Sequence, residues 1–220
     1  AILDHVDWDV PAGARVGVAG ATGAGLSTLA DLITGLREPN QGAIELDAHD
    51  LRDLSLRRLR MAIVAIRPEG VFPGTISENV QVGRPEVELS VVRGALEAVG
   101  LWGEVADLPQ GLATPLAAGG WPLSPGEADR LLVARAIAGR PRLIVVDGLL
   151  DALDADSRAV ALDALFRPDA PWTVIALSRH PDVLARCDLR YLLDKGRLSH
   201  LPGPPSAAVE ASRGKKRRRA

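Results

Sequence analysis

The stretch Gly20-Ala21-Thr22-Gly23-Ala24-Gly25-Leu26-Ser27-Thr28 limits what this chain can be more than any other. Residues 15–19, RVGVA, lead into it as a Val-rich apolar run that suits a buried parallel strand. Residues 27–36 leave it with helical spacing, placing Leu29, Leu32, Ile33 and Leu36 on one face. Strand, glycine-rich turn and helix fit G-x-x-x-x-G-K-[ST] at every fixed position but one, where Leu26 stands for lysine. Glycines let the backbone curl its N–H groups around a common centre, and a helix N-terminus adds partial positive charge, so the stretch is shaped for phosphate. Ser27 is the candidate Mg2+ ligand within it. An ordinary strand-to-helix turn is the competing reading; the strand, the glycine spacing and the Ser-Thr pair favour the phosphate loop. A lysine about 4 Å from a phosphate oxygen is worth about 4 kcal/mol at an effective dielectric of 20. Micromolar affinity is only about 8 kcal/mol in total, so Leu26 predicts weak binding. Lys195 is the only lysine in residues 1–212, and the sequence sets no arginine beside the loop.

The remaining apolar runs extend the pattern. Residues 42–46, 61–66, 142–146 and 173–177 read as strands, and 189–193 with 197–201 as a hairpin around Lys195-Gly196. Residues 77–140 are helical in texture, clearest over 91–99 and 127–138. Strands alternating with helices around one helical block predict an α/β fold with an inserted helical lobe. The 220 residues, 47% apolar, suffice for one core and contain no apolar run long enough for a membrane-spanning helix. The N-terminal ten residues lack the basic start of a signal peptide, and a chain opening at Ala1 reads as a piece of a longer polypeptide. A single Cys187 excludes a disulfide framework and fits a reducing compartment. Six basic residues crowd into 213–219, leaving 20 basic against 28 acidic over residues 1–212, so the body argues against nucleic-acid binding. The tail residues Arg213, Lys215, Lys216, Arg217, Arg218 and Arg219 follow a linker and are candidates for anionic-lipid contact.

Two further motifs complete an order. Leu123-Ser124-Pro125-Gly126-Glu127 precedes a helix, and Leu143-Ile144-Val145-Val146-Asp147-Gly148 forms an apolar strand ending in Asp. With VFPGTISENV, VARAIAGRPRLIVVD, ALD and LLDKGRL, the sequence over residues 2–201 resembles the nucleotide-binding domain of ABC transporters, most closely that of exporters. The resemblance implies a P-loop NTPase (RecA-like) core with a mostly parallel sheet, a small antiparallel β part and an inserted helical subdomain. It divides the chain into a first core part at 1–76, a helical subdomain at 77–139, a second core part at 140–201, and a linker with basic tail at 202–220. It implies head-to-tail dimers with ATP between one subunit's phosphate loop and the other's signature. Residues 20–28 would wrap the phosphates, Ser27 and Asp147 would hold Mg2+, and Ser124 and Gly126 would contact the γ-phosphate bound by the partner. Asp154 would sit at the dimer seam. A transmembrane domain of the same or a neighbouring chain is implied as a partner, on the cytoplasmic side of the bacterial inner membrane.

The departures concentrate on catalysis. Beside Leu26, Gly148 replaces the glutamate that polarises water, and Arg67 stands at the glutamine that senses Mg2+. Arg179 takes the switch-histidine position, with His180 one residue late, and Pro125 and Glu127 alter the signature. Phosphoryl transfer is mostly positioning and charge stabilisation, so the expectation is an impaired half-site that pairs with a non-identical second domain. Structural readings compete at several positions. Ser124 and Glu127 fit a helix capping box, His180 before Pro181 fits a helix cap, and Asp151, Asp154 and Asp156 fit a polar helix entry. His5, His49 and His200 read as surface residues, and the four tryptophans as packing residues.

Overall fold

Val16 and Val18, on one face of β1 (Arg15–Gly20), have no exposed surface. Two sheet neighbours and a helix cover them, and the rest of the chain is wound around that arrangement. In this computed structural model residues 2–68, 70–84 and 86–202 are described; the tail cations Arg213 to Arg219 lie outside the described residues.

After β1 come α1 (Leu26–Ile33), β2 (Glu45–Leu46), β3 (His49–Asp50), α2 (Leu56–Ala62), β4 (Ile63–Ile66) and β5 (Gly74–Thr75). The helical part holds α3 (Ile76–Gln81), α4 (Leu89–Ala98), α5 (Trp102–Asp107), β6 (Pro115–Leu116) and α6 (Pro125–Ala138). The chain returns through β7 (Leu143–Asp147), α7 (Leu149–Ala152), α8 (Ala155–Leu165), β8 (Thr173–Leu177), α9 (Pro181–Ala185), β9 (Leu189–Asp194) and β10 (Arg197–His200). The main sheet has the order β10-β9-β1-β8-β7-β4, parallel throughout except for β10. β2 with β3, and β5 with β6, form two small antiparallel pairs.

The period of two along each strand divides the core. Leu143, Val145, Ile175 and Leu177 face α1 through Leu29, Ala30 and Ile33. Ile144, Val146, Val174 and Ala176 face the opposite layer, which includes Val133 and Ile137 of α6. Both faces are covered, so the strands read as unbroken apolar runs rather than alternating ones.

Several limits differ from the sequence expectation. α1 begins at Leu26, one residue early, because Gly25 acts as its N-cap, and it stops at Ile33 before Gly35 at φ 66°. Leu36 is consequently outside the helix and half exposed. The strand expected at 42–46 keeps only Glu45–Leu46, and the one expected from residue 61 starts at Ile63. The residues before it form α2, capped by Ser55. Trp121 is 74% exposed rather than packed, whereas Trp172 is buried with its indole N–H bonded to the Leu165 carbonyl.

One arginine ties α6 to α3 and to the loop between β4 and β5. Arg135 of α6 donates to the carbonyls of Asn79 and Gly70, both at 2.7 Å, and to Asn79 Oδ1 at 2.8 Å. Its guanidinium lies 5.1 Å from the Phe72 ring centre. No carboxylate pairs with it among the described residues, and burial, with nearby Arg84, pushes its pKa down to about 10. It therefore remains a cation at neutral pH and is held by neutral acceptors. Arg135→Ala leaves those acceptors unpaired and is expected to cost about 2–4 kcal/mol, read as a lower urea midpoint; Arg135→Met, which retains the apolar stem, should recover little of it.

Candidate functional site

Parallel pairing puts the carboxyl ends of β4, β7, β8 and β1 along one edge of the sheet, where ligands bind in open α/β sheets. Each strand delivers one segment there. β1 delivers the glycine-rich turn, β4 delivers Arg67, β7 ends at Asp147, and β8 is followed by Ser178 and Arg179.

The turn has the shape the sequence requires. Gly25 has φ 103°, in the left-handed region where other residues are strained, and its carbonyl accepts from Leu29 N–H at 2.8 Å. A Cβ on Gly20 would lie 3.0 Å from the Leu193 carbonyl and 3.2 Å from the Ala24 Cβ. Thr22 and Gly23 are exposed, as is Ser27. Leu26 is half-buried and packs on the α1-side core with Ala24. The residue in lysine's place has thus become core, so reverting it removes apolar contacts as well as adding charge.

Asp147 is the hub. Ser27 Oγ donates to its Oδ1 at 3.2 Å, and Arg67 Nε donates to its Oδ2 at 3.0 Å. Arg67 Nη2 reaches Asp31 Oδ1 at 2.6 Å, and Arg37 lies 3.6 Å from the other Asp31 oxygen. Burial opposes the charge on Arg67, but the Asp31 and Asp147 carboxylates outweigh it and hold the guanidinium's pKa above its ordinary value. Reading the sequence singled out Arg67 but not its second partner. The signal was present, since Ser27 and Asp31 are spaced i, i+4 and so share one helix face.

This arrangement bears on Mg2+, which takes oxygen ligands at about 2.0–2.1 Å in near-octahedral geometry. Ser27 and Asp147 have the right donor types, but one Asp147 oxygen already holds a guanidinium. A dication about 5 Å from that fixed charge would be repelled by about 7 kcal/mol at an effective dielectric of 20. Among the described residues no group of three or more His, Cys, Asp or Glu side chains could hold a metal ion. As arranged, these residues do not fit Mg2+.

A second arginine stands at the other side of the turn. Arg179 Nη1 donates to Thr22 Oγ1 at 3.1 Å, bringing a positive charge against the loop that lost its lysine. Its backbone N–H donates to Asp151 Oδ2 at 3.1 Å, Ser178 Oγ donates to Asp151 Oδ1, and Ser178 N–H donates to the Val18 carbonyl at 3.1 Å. Asp151 therefore pins the segment after β8, a function the sequence did not disclose. His180 caps α9, its ring Nδ1 accepting from Asp182 N–H at 3.3 Å.

Gly148 adopts φ 76°, and no atom lies within 4 Å of where its Cβ would stand. The space is open and the carboxylate is missing. Ser124 caps α6 with Glu127 in a reciprocal box, and Asp154 caps α8 by accepting from Ser157 N–H at 2.9 Å. That bond, with no burial to oppose it strongly, lowers the Asp154 pKa. A Cβ on Gly126 would meet Ser157 Oγ at 3.0 Å and Asp154 Oδ2 at 3.3 Å. Gly126 and Asp154 are thus neighbours, while no hydrogen bond joins Ser124 or Gly126 to residues 20–28 among the described residues.

A glycine turn at a sheet's carboxyl edge, with an Asp-terminated strand two strands away, is matched by known sequences. The family described as ABC transporter covers residues 3–150. The chain belongs to the ABC transporter family. It is 34% identical over 204 residues to a multidrug efflux ATP-binding/permease protein of Mycobacterium tuberculosis, covering 92% of this chain and 17% of that one. It is 32% identical over 201 residues to an ATP-dependent lipid A-core flippase of Cupriavidus pinatubonensis, at 90% and 34% coverage. A solved bacterial Atm1-family ABC exporter with ATP bound superposes with a TM-score of 0.82 at 31% identity, covering 90% of this chain and 35% of that one. The chain spans about a third or less of the length of these relatives. It has the P-loop NTPase fold of the ABC domain, and the family binds ATP with Mg2+ in general.

The two residues after Ser178 now separate by what they touch. Arg179→Ala is expected to weaken binding of an ATP analogue about tenfold, or about 1.4 kcal/mol, in an equilibrium titration. His180→Ala should lower the melting temperature slightly and leave that affinity unchanged.

Proposed function

We propose that this chain is the catalytically impaired nucleotide-binding half of an ABC exporter, acting beside a non-identical, competent partner domain. The observation that carries the reading is Gly148. It follows Asp147 at the carboxyl end of β7, with open space where the family's water-polarising carboxylate would be. Leu26 adds to it by leaving the phosphate loop without a lysine. A site without these two groups lacks the loop lysine's charge and the carboxylate's water positioning, both of which serve phosphoryl transfer in the family.

The other half of the machinery keeps Ser124 and Gly126, although Pro125 and Glu127 depart from the family's signature. Ser124 caps the fourteen-residue α6 and Gly126 lies in its first turn. In the proposed dimer they meet nucleotide held by the partner, with Asp154 at the seam, while residues 20–28 hold ATP weakly or not at all. Division into core and helical parts at residues 76, 139 and 201 follows the same reading. Transport of a substrate across a bacterial inner membrane would be supplied by a transmembrane domain, with this domain on the cytoplasmic side. Among the described residues no helix is long and apolar enough to cross a membrane.

A slow but genuine ATPase is the second reading, favoured by the 3.1 Å contact of Arg179 with Thr22. Turnover by the intact protein, purified without a partner chain, separates the two. We expect activity no higher than that of Asp147→Asn, and a gain of at least about tenfold, some 1.4 kcal/mol in the barrier, on combining Leu26→Lys with Gly148→Glu. Robust Mg2+-dependent turnover that Asp147→Asn abolishes would refute the impaired reading. A double variant that melts no earlier than the wild type, despite the left-handed φ of 76° at residue 148, and still gains nothing would favour the slow ATPase.

A further inference from the structure

The salt-bridge geometry at Asp147 points to a resident cation. We infer that Arg67 takes the place of the divalent metal in this domain, so that its phosphate cradle binds polyphosphate without Mg2+. The inference rests on reading residues 20–28 as a nucleotide cradle and extends that reading to what balances the phosphate charge.

Both oxygens of Asp147 are occupied, one by Ser27 Oγ at 3.2 Å and one by Arg67 Nε at 3.0 Å. The serine and the guanidinium are therefore joined through a single carboxylate, which puts a full positive charge next to the first turn of α1. Asp31, four residues after Ser27 in that helix, grips Arg67 Nη2 at 2.6 Å. Two carboxylates, one on Nε and one on Nη2, fix the plane and position of the guanidinium, leaving little freedom to swing aside for a metal. Arginine cannot escape by losing its proton. Nη1 has no hydrogen-bond partner among the described residues, and the side chain is 36% exposed, so N–H donors remain for a phosphate oxygen. A planar fork of this kind suits phosphate. A metal in the same place would have to break the Arg67–Asp147 pair, and a positive charge, half of what the metal would bring, is already fixed there.

The test is a calorimetric titration of ATP into the full-length protein, once with millimolar Mg2+ and once with EDTA. We expect the two dissociation constants to agree within about twofold in the wild type. In Arg67→Gln, metal-free binding should weaken by about tenfold, and Mg2+ should restore it. Arg67→Lys, which keeps the charge but not the planar fork, should bind metal-free ATP more tightly than Arg67→Gln and more weakly than the wild type. Mg2+ tightening wild-type binding tenfold or more, about 1.4 kcal/mol, would overturn the inference and needs no variant to be read. Absence of binding in either condition would also overturn it, while leaving the half-site proposal standing, because that proposal does not require this chain's own loop to be filled. Equal affinities of Arg67→Gln and wild type in both conditions would overturn it as well. Turnover is not the readout here, so a failure of the impaired-half reading would register separately.

Discussion

The pairing of β4 with β7 decides the chemistry of the site. Their register sets Ile66 beside Val146, so the next residue on each strand, Arg67 and Asp147, emerge side by side at the carboxyl edge. A glutamine at position 67 would offer a neutral group to the same carboxylate. Arginine instead closes a charged pair at 3.0 Å, and Asp31 makes the pair a triad. Because the register is fixed by buried residues on both faces, slipping by one position would turn Ile63 and Ile66 to the wrong layers. The core holds the ion pair together, and the ion pair determines which cation the site contains.

Shape and charge have separated in the phosphate loop. Its glycines are demanded by the backbone: Gly25 has φ 103°, and Gly20 is crowded by the Leu193 carbonyl. Changing them would disturb the joint between β1 and α1, and hence the sheet. The lysine position carries no such demand. Leu26 can turn to the core there and gain apolar contacts, whose burial is worth about 25 cal/mol per Å2. The stability of a loop of this form therefore does not depend on a lysine at position 26. Leucine at position 26 and glycine at position 148 are compatible with the fold, Leu26 packing on the α1-side core and Gly148 taking a φ of 76°.

What could be read in advance follows the same division. Continuous apolar runs announced the buried strands at 143–147 and 173–177, and the capping box at Ser124 and Glu127 announced the start of α6. The short elements were not legible. β5 and β6 are two residues each, held by pairing of Gly74 with Leu116, 42 positions further on, and no local period marks such a contact. α2 was hidden because LRRLRMA carries four apolar positions without a clear stripe, and its Ser55 cap was the only signal. At the site, glycine spacing located the loop, and the strand ending in Asp located its partner. Arg179 against Thr22 is a contact between residues 157 apart in sequence, set by where β8 ends beside β1. Such charges are placed by topology, so composition alone made the loop look barer than it is.

In the proposed half-site, the helix N-termini at Ser124 and Asp154 give a reason why one half could outlast the other. Gly126 lies so close to Asp154 and Ser157 that a Cβ would approach their side chains at 3.3 and 3.0 Å. The N-termini of α6 and α8 therefore share a wall, and each is closed by its own cap, Ser124 with Glu127 and Asp154 with Ser157. A cap contributes about 0.5–2 kcal/mol to its helix whether or not a ligand is present. Ser124 and Asp154 are thus held in place by folding stability, independently of nucleotide. No comparable constraint protects a lysine at 26 or a glutamate at 148, which would serve only when phosphate is bound. A domain of this kind can lose its own catalysis and still present an ordered signature face, which is what service to a partner's site would demand of it.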